Sequence, residues 1–276
     1  MYSLIIAIVV GAATAGITRI WMGWPWAVFT GTLGFIGASF LLSRVFGKRL
    51  TALVTQVQDI LQGSQGEVDK MLNRFQAKPL GSVKLMQDQV EKVVERRIIE
   101  ALAVLETARP LYRWSLLADR QVDTLKMQLN YQLKRWDDVD RLMPRVMILE
   151  PLTLCMKMVR QYERDDAALD KTFRKGVKKF KYEKATLIYA LYAWILMKRK
   201  NVDKAVEILA IAKDKCENEV LKRNWQHLAN GKPQLVSWRE LGEQWYALQL
   251  ETPPKAKAGK GAMRDNPMYG GRIKRR

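Results

Sequence analysis

Few residues in this chain have the type and spacing that chemistry requires. Its 276 residues include one histidine, His227, and two cysteines, Cys155 and Cys216. The lone imidazole sits in Asn224-Trp225-Gln226-His227. No cysteine or paired carboxylate lies beside it to make a base or a nucleophile pair. Two distant cysteines without a CxxC exclude a Cys₄ zinc site and a disulfide scaffold. Gly259-Lys260-Gly261 lacks the upstream glycine spacing and the Ser/Thr of a phosphate-binding loop. Asp137-Asp138 and Asp165-Asp166 fall where helical hairpins turn, and aspartate there starts helices. The reading is therefore of no enzyme, no bound metal and no cofactor.

What remains is charge. Lys+Arg number 47 against 28 Asp+Glu, a formal net charge of +19. Two regions concentrate it. Lys171, Arg174, Lys175, Lys178 and Lys181 fall on one side of a helix whose other side carries Leu169, Phe173, Val177 and Phe180. That basic side is a candidate groove for an acidic peptide. The C-terminal segment 251–276 holds Lys255, Lys257, Lys260, Arg264, Arg272, Lys274, Arg275 and Arg276 among Pro, Gly and Ala. It cannot bury a core and reads as a disordered basic tail. Such a tail suits anionic lipid or nucleic acid, but Tyr269 alone is available for base stacking.

The elements that must position these charges begin with two apolar runs. Residues 1–18 and 24–42 carry no charge. Each approaches the ~20 residues that cross a bilayer core. Only RIWMG separates them, so they read as an antiparallel transmembrane hairpin over 1–43. Trp21, Trp24 and Trp26 cluster at its turn, where indole rings suit a membrane interface. Gly11, Ala12, Ala15 and Gly16 in the first run, with Gly34 and Ala38 in the second, would let the backbones approach. Arg19 alone marks the turn, whereas Arg44, Lys48 and Arg49 follow the second run. Basic residues stay on the cytoplasmic side, which places the rest of the chain there.

A linker over 44–81 follows. Leu50, Val54, Val57, Leu61, Ser64, Val68, Met71 and Phe75 alternate steps of four and three, an a/d seam. Two readings stay open: a coiled coil joining two copies through residues 50–75, or one amphipathic helix lying on lipid or folded against the following domain. Gly63 and Gly66 each weaken a continuous helix by ~1 kcal/mol, and Lys78-Pro79-Leu80-Gly81 breaks it. Over 82–250 apolar residues recur at three and four, never for long at two, so the region reads as helical hairpins. Ser237-Trp238-Arg239-Glu240 reads as a capping box opening a last helix. Leu235, Trp238, Leu241, Trp245 and Leu248 would be its apolar face.

The hairpins repeat. Tyr131-Gln-Leu-Lys-Arg-Trp136-Asp-Asp-Val139, ending in Leu149-Glu150-Pro151, aligns with Tyr189, Tyr192, Ala193, then Lys200-Asn-Val202-Asp-Lys-Ala205, Leu209 and Ala212. Trp136 matches Val202, Val139 matches Ala205 and Val146 matches Ala212. The offset is two units of ~34 residues. This pattern resembles the tetratricopeptide repeat, with Lys134 and Lys200 at that family's turn glycine and 152–185 as a degenerate middle unit. The chain thus reads as all-α, a two-helix transmembrane hairpin followed by what the resemblance implies is a tetratricopeptide-like α-solenoid. It also implies a groove for another protein's peptide or helix, with first-helix Lys126, Asn130 and Lys134 as candidate contacts. The layout is similar to HemY-type bacterial inner-membrane proteins. The expected function is a membrane-anchored protein–protein scaffold. The alternative is a nucleic-acid or ribosome contact through the tail.

Overall fold

The structure is a computed structural model and describes residues 2–77, 83–113 and 117–252. It is all-α, with no strand among the described residues. Two compact units divide it, Met1–Met147 and Ile148–Arg276.

The first unit opens on α1 (Tyr2–Met22) and α2 (Trp24–Ala77). The turn between them is shorter than the five residues expected. Gly23 alone makes it, at φ 86°, a conformation that glycine adopts without steric cost. The helices run antiparallel and close on small residues. A Cβ on Gly31 would stand 2.7 Å from Ala15 Cβ, and one on Gly11 would stand 2.9 Å from Gly31 O. The expected Gly34 is also tight, since a Cβ there would stand 2.6 Å from Thr14 Oγ1, while Gly16 has open space around it. Thr30 Oγ1 also donates to Thr18 Oγ1 across the hairpin at 2.9 Å. Both helices are long and apolar enough to cross a membrane.

No break separates hairpin from linker. α2 continues through residue 43 for 54 residues, about 80 Å at 1.5 Å each. Gly63 and Gly66 do not interrupt it, because the apolar stripe on either side of them is buried against the rest of the unit. α3 (Val83–Glu106) packs back along α2. Its Ile98, Ala101 and Leu105 form one core with Val57, flanked by Leu50, Leu53, Ile60 and Leu61. All eight positions of the a/d seam are buried or half-buried, with Val57, Ser64 and Val68 fully so. Burying each large side chain contributes about 1.5–3 kcal/mol, more than the two glycines cost. Glu67 pairs with both Arg96 and Arg97 across the two helices. Within the chain α3 thus covers part of the seam, while Leu50, Val54, Leu61, Met71 and Phe75 stay half-buried. The expected break at residues 78–81 lies outside the described residues.

A 3₁₀ turn over Arg109–Arg113 leads to α4 (Ala118–Gln132) and the short α5 (Trp136–Leu142). Proline at 144 has no N–H to donate, and the chain tightens to 3₁₀ over Met143–Arg145. Val146 is consequently extended (φ −65°, ψ 135°) and does not take the helical place that its alignment with Ala212 predicts.

The second unit contains α6 (Pro151–Glu163), α7 (Leu169–Lys179), α8 (Thr186–Lys198), α9 (Val202–Cys216) and α10 (Glu219–Ala229). Pro151 starts α6, at a position whose N–H has no helical partner anyway. Ala205, Leu209 and Ala212 of α9 are fully buried. The predicted last helix does not form. Two 3₁₀ turns, Pro233–Leu235 and Arg239–Leu241, precede the four-residue α11 (Glu243–Tyr246). Gly242 at φ 67° and ψ −141° interrupts the run. Ser237 makes no capping box, because its backbone is paired with Asn224 and Glu240 with Arg223. Trp238, Trp245 and Leu248 are buried as expected, and Leu235 is exposed.

Candidate docking surfaces

One turn geometry recurs after α4, α6, α8 and α10. A left-handed residue follows each helix: Lys134 (φ 57°), Asp165 (φ 50°), Lys200 (φ 59°) and Gly231 (φ 66°). Their N–H groups bond to Tyr131, Tyr162, Met197 and Leu228. The next residues, Arg135, Asp166, Asn201 and Lys232, reach back to the carbonyls of Asn130, Gln161, Leu196 and His227. This pair of bonds is a Schellman motif, which satisfies carbonyls that the helix end leaves free. Three of the four turns lead into a second helix, and in the last of these Asn201 caps α9 by accepting from Lys204 N at 3.3 Å. The turns are 31, 35 and 31 residues apart.

The structure separates the three first-helix candidates. Lys126 is buried, and its Nζ donates to Glu106 Oε1 at 2.7 Å. Asn130 is buried, and its Nδ2 donates to Lys126 O. Only Lys134 is exposed, in the turn. Lys126 and Asn130 thus hold α4 in its own unit and do not line an open face. The polar cluster around them is structural in form. Arg145 approaches Asp123 at 3.6 Å and Asp119 at 3.8 Å. The hydrogen bond from Lys126 holds the Glu106 carboxyl below its usual range, and burial pushes Asp123 above it. Sequence alone could not find this cluster, because its members come from α3, α4 and the turn after α5.

The α7 candidates fare differently. Lys171, Arg174, Lys175 and Lys178 share one exposed face of α7 and line a shallow groove of about 380 Å³ with Ala167 and Asp170. None of the four pairs with a carboxylate among the described residues. Lys181 leaves the group, since α7 ends at Lys179 and Lys181 is extended (φ −110°, ψ 160°). On the opposite side Leu169, Phe173 and Phe180 are buried as expected. Phe173 stacks on Tyr192 of α8 with ring centroids 3.9 Å apart, and Tyr192 donates to Asp170 Oδ1 at 2.7 Å. Burial and that carboxylate push the Tyr192 phenol well up. Asp170 is therefore already engaged, and the groove presents net positive charge. What it can do chemically is bind carboxylate or phosphate oxygens.

Cys155 and Cys216 are free and buried, and His227 is half-buried on α10. Among the described residues no three of His, Cys, Asp and Glu converge as metal ligands would. The tail candidates Lys255, Lys257, Lys260, Arg264, Arg272, Lys274, Arg275 and Arg276 lie outside the described residues. Comparison with known proteins finds no matching family model, no matching curated protein and no matching solved structure.

Proposed function

We propose that this chain is a membrane-anchored scaffold whose helical hairpins form a tetratricopeptide-like array that docks an acidic segment of another protein. The observation that carries the reading is the recurring left-handed turn at Lys134, Asp165, Lys200 and Gly231. Repeated hairpins of this kind bury their small-residue faces on one another and leave side chains of the helices for a partner. The unpaired cations of α7 supply the charge that an acidic partner needs.

Membrane anchoring rests on α1 and the first part of α2. Their most apolar windows are only 11% and 12% buried, whereas core helices of a water-soluble bundle would be covered. In the bilayer the exposed Val9, Leu33 and Phe40 face lipid, and Arg44, Lys48 and Arg49 reach the headgroups on the cytoplasmic side. This arrangement is similar to HemY-type proteins of the bacterial inner membrane.

The test is a photo-crosslinking residue at Lys175 in the full chain, irradiated in native membranes. A discrete protein adduct is expected. It should survive deletion of residues 253–276 and weaken when Lys171, Arg174 and Lys178 become glutamine. Absence of any protein adduct would overturn the reading. So would an adduct that is nucleic-acid-dependent and lost with the tail.

A further inference from the structure

The segment after the fourth turn is held as a bound peptide would be. Asn224 on α10 is fully buried. Its Nδ2 donates to Ser237 O at 2.8 Å, and its Oδ1 accepts from Ser237 N at 3.2 Å. One side-chain amide thus takes both backbone groups of one residue, the pairing that a neighbouring strand offers to an extended peptide. Val236, just before it, is extended (φ −67°, ψ 127°).

The anchors that follow rest on first helices. Trp245 meets Trp194 of α8 at 6.3 Å, and Trp194 meets Tyr162 of α6 at 5.7 Å. Trp238 lies 5.7 Å from Trp245, and Glu240 pairs with Arg223 of α10 at 2.8 Å. Large buried aromatics framed by a charge pair are what anchor interfaces.

Local backbone bonds, from Leu241 N to Trp238 O through Gln249 N to Tyr246 O, give the segment turns but no helix longer than four residues. Its pieces are three and four residues long, with a left-handed Gly242 between them and Gln249 at φ 57°. Trp245 Nε1 is fully buried without an acceptor. A buried indole N–H normally finds one.

We infer that the α8–α10 face is a peptide groove and that residues 236–249 occupy it in cis. The partner it fits is a protein segment of the same chemistry: an extended residue for Asn224, a carboxylate for Arg223 and two large aromatic groups for the surface beside Trp194. The inference rests on the docking-scaffold reading and adds a second surface to it. The chain's own segment, joined by a short turn, competes at an effective concentration in the millimolar range. Partner binding at this groove therefore requires its release.

The experiment uses the full chain in lipid nanodiscs, with a protease site inserted in the exposed turn between Lys232 and Pro233. The probe is a fluorescent synthetic peptide of residues 233–252. After cleavage the peptide should exchange onto the chain saturably, while the uncut chain takes up little. A peptide carrying Ser237→Pro, which lacks the N–H that Asn224 accepts, and one carrying Trp245→Ala should each bind about ten-fold more weakly or worse. These variants alter only the probe, so misfolding of the array cannot imitate the result. Two outcomes would overturn the inference: no exchange over days with the cut segment still attached, or loss of amide protection in α8–α10 on cleavage. Either makes 236–249 integral core. The Lys175 crosslink is read on the uncut chain, so the two readings can fail separately.

Discussion

Replacing Lys200 with glycine should stabilise the α8–α9 hairpin. Lys200 is held at φ 59°, is exposed and makes no ion pair among the described residues. A residue with a Cβ in the left-handed region loses roughly 1–2 kcal/mol to its following carbonyl. Glycine removes that strain but adds roughly 0.5–1 kcal/mol of backbone freedom to the unfolded chain. The net gain is about 0.5–1 kcal/mol, which slows local opening about two- to five-fold. Hydrogen exchange of the α8 and α9 amides measures this without asking the α1–α2 hairpin to unfold. Lys200→Ala keeps the Cβ and should gain nothing. Asp165→Gly should gain less than Lys200→Gly, because Asp165 also pairs with Arg199 at 2.6 Å. That exposed pair contributes up to about 1 kcal/mol. If Lys200→Gly opens as fast as Lys200→Ala, or faster, the turn is not left-handed and the repeat geometry is wrong.

Other outcomes follow from the same contacts. Val57→Asp places an unpaired charge in the α2–α3 core, should cost about 3 kcal/mol or more, and should expose α3 to limited proteolysis, whereas Gln56→Asp on the exposed side should not. Cys155 and Cys216 should resist a thiol reagent at pH 8 in the folded chain and react together in denaturant, since burial pushes both thiols up. Glu106 and Asp123 should respond to pH with opposite signs. The folded-state pKa of Glu106 is depressed, so its contribution is present above the ordinary carboxyl value and lost as pH falls through the folded one. Glu106→Gln should therefore lower α4 protection at pH 7, by about 1 kcal/mol after solvent screening, and flatten its acid limb. Asp123 is raised, so Asp123→Asn should increase protection at pH 7, with the difference shrinking as pH falls through its folded value.

The parts of this fold that periodicity encodes were legible in the residues alone. α7 carries basic and apolar residues at helical spacing, and the helix forms from Leu169 as that spacing predicts but stops at Lys179, short of Phe180 and Lys181. The eight-position seam of α2 was also plain, but its partner was not. A stripe states that a face is buried without saying against what, and α3 and a second copy satisfy it equally. The burial of Lys126 was hidden for a similar reason. Its spacing on α4 looks like that of a groove residue, and only the fold brings Glu106 to its ammonium. The expected capping box failed because tertiary bonds outcompeted a local one. Asn224 took the Ser237 backbone and Arg223 took Glu240. The turn lysines hid the repeat geometry, since lysine gives no sign of a left-handed backbone where glycine would have announced it.

The proposed function requires the apolar hairpin to hold the helical domain at a bilayer. Alkaline carbonate washing of membranes from cells that make the full chain tests this directly. Retention in the pellet, with release only by detergent, is predicted. Recovery of the folded chain in the aqueous wash would contradict it.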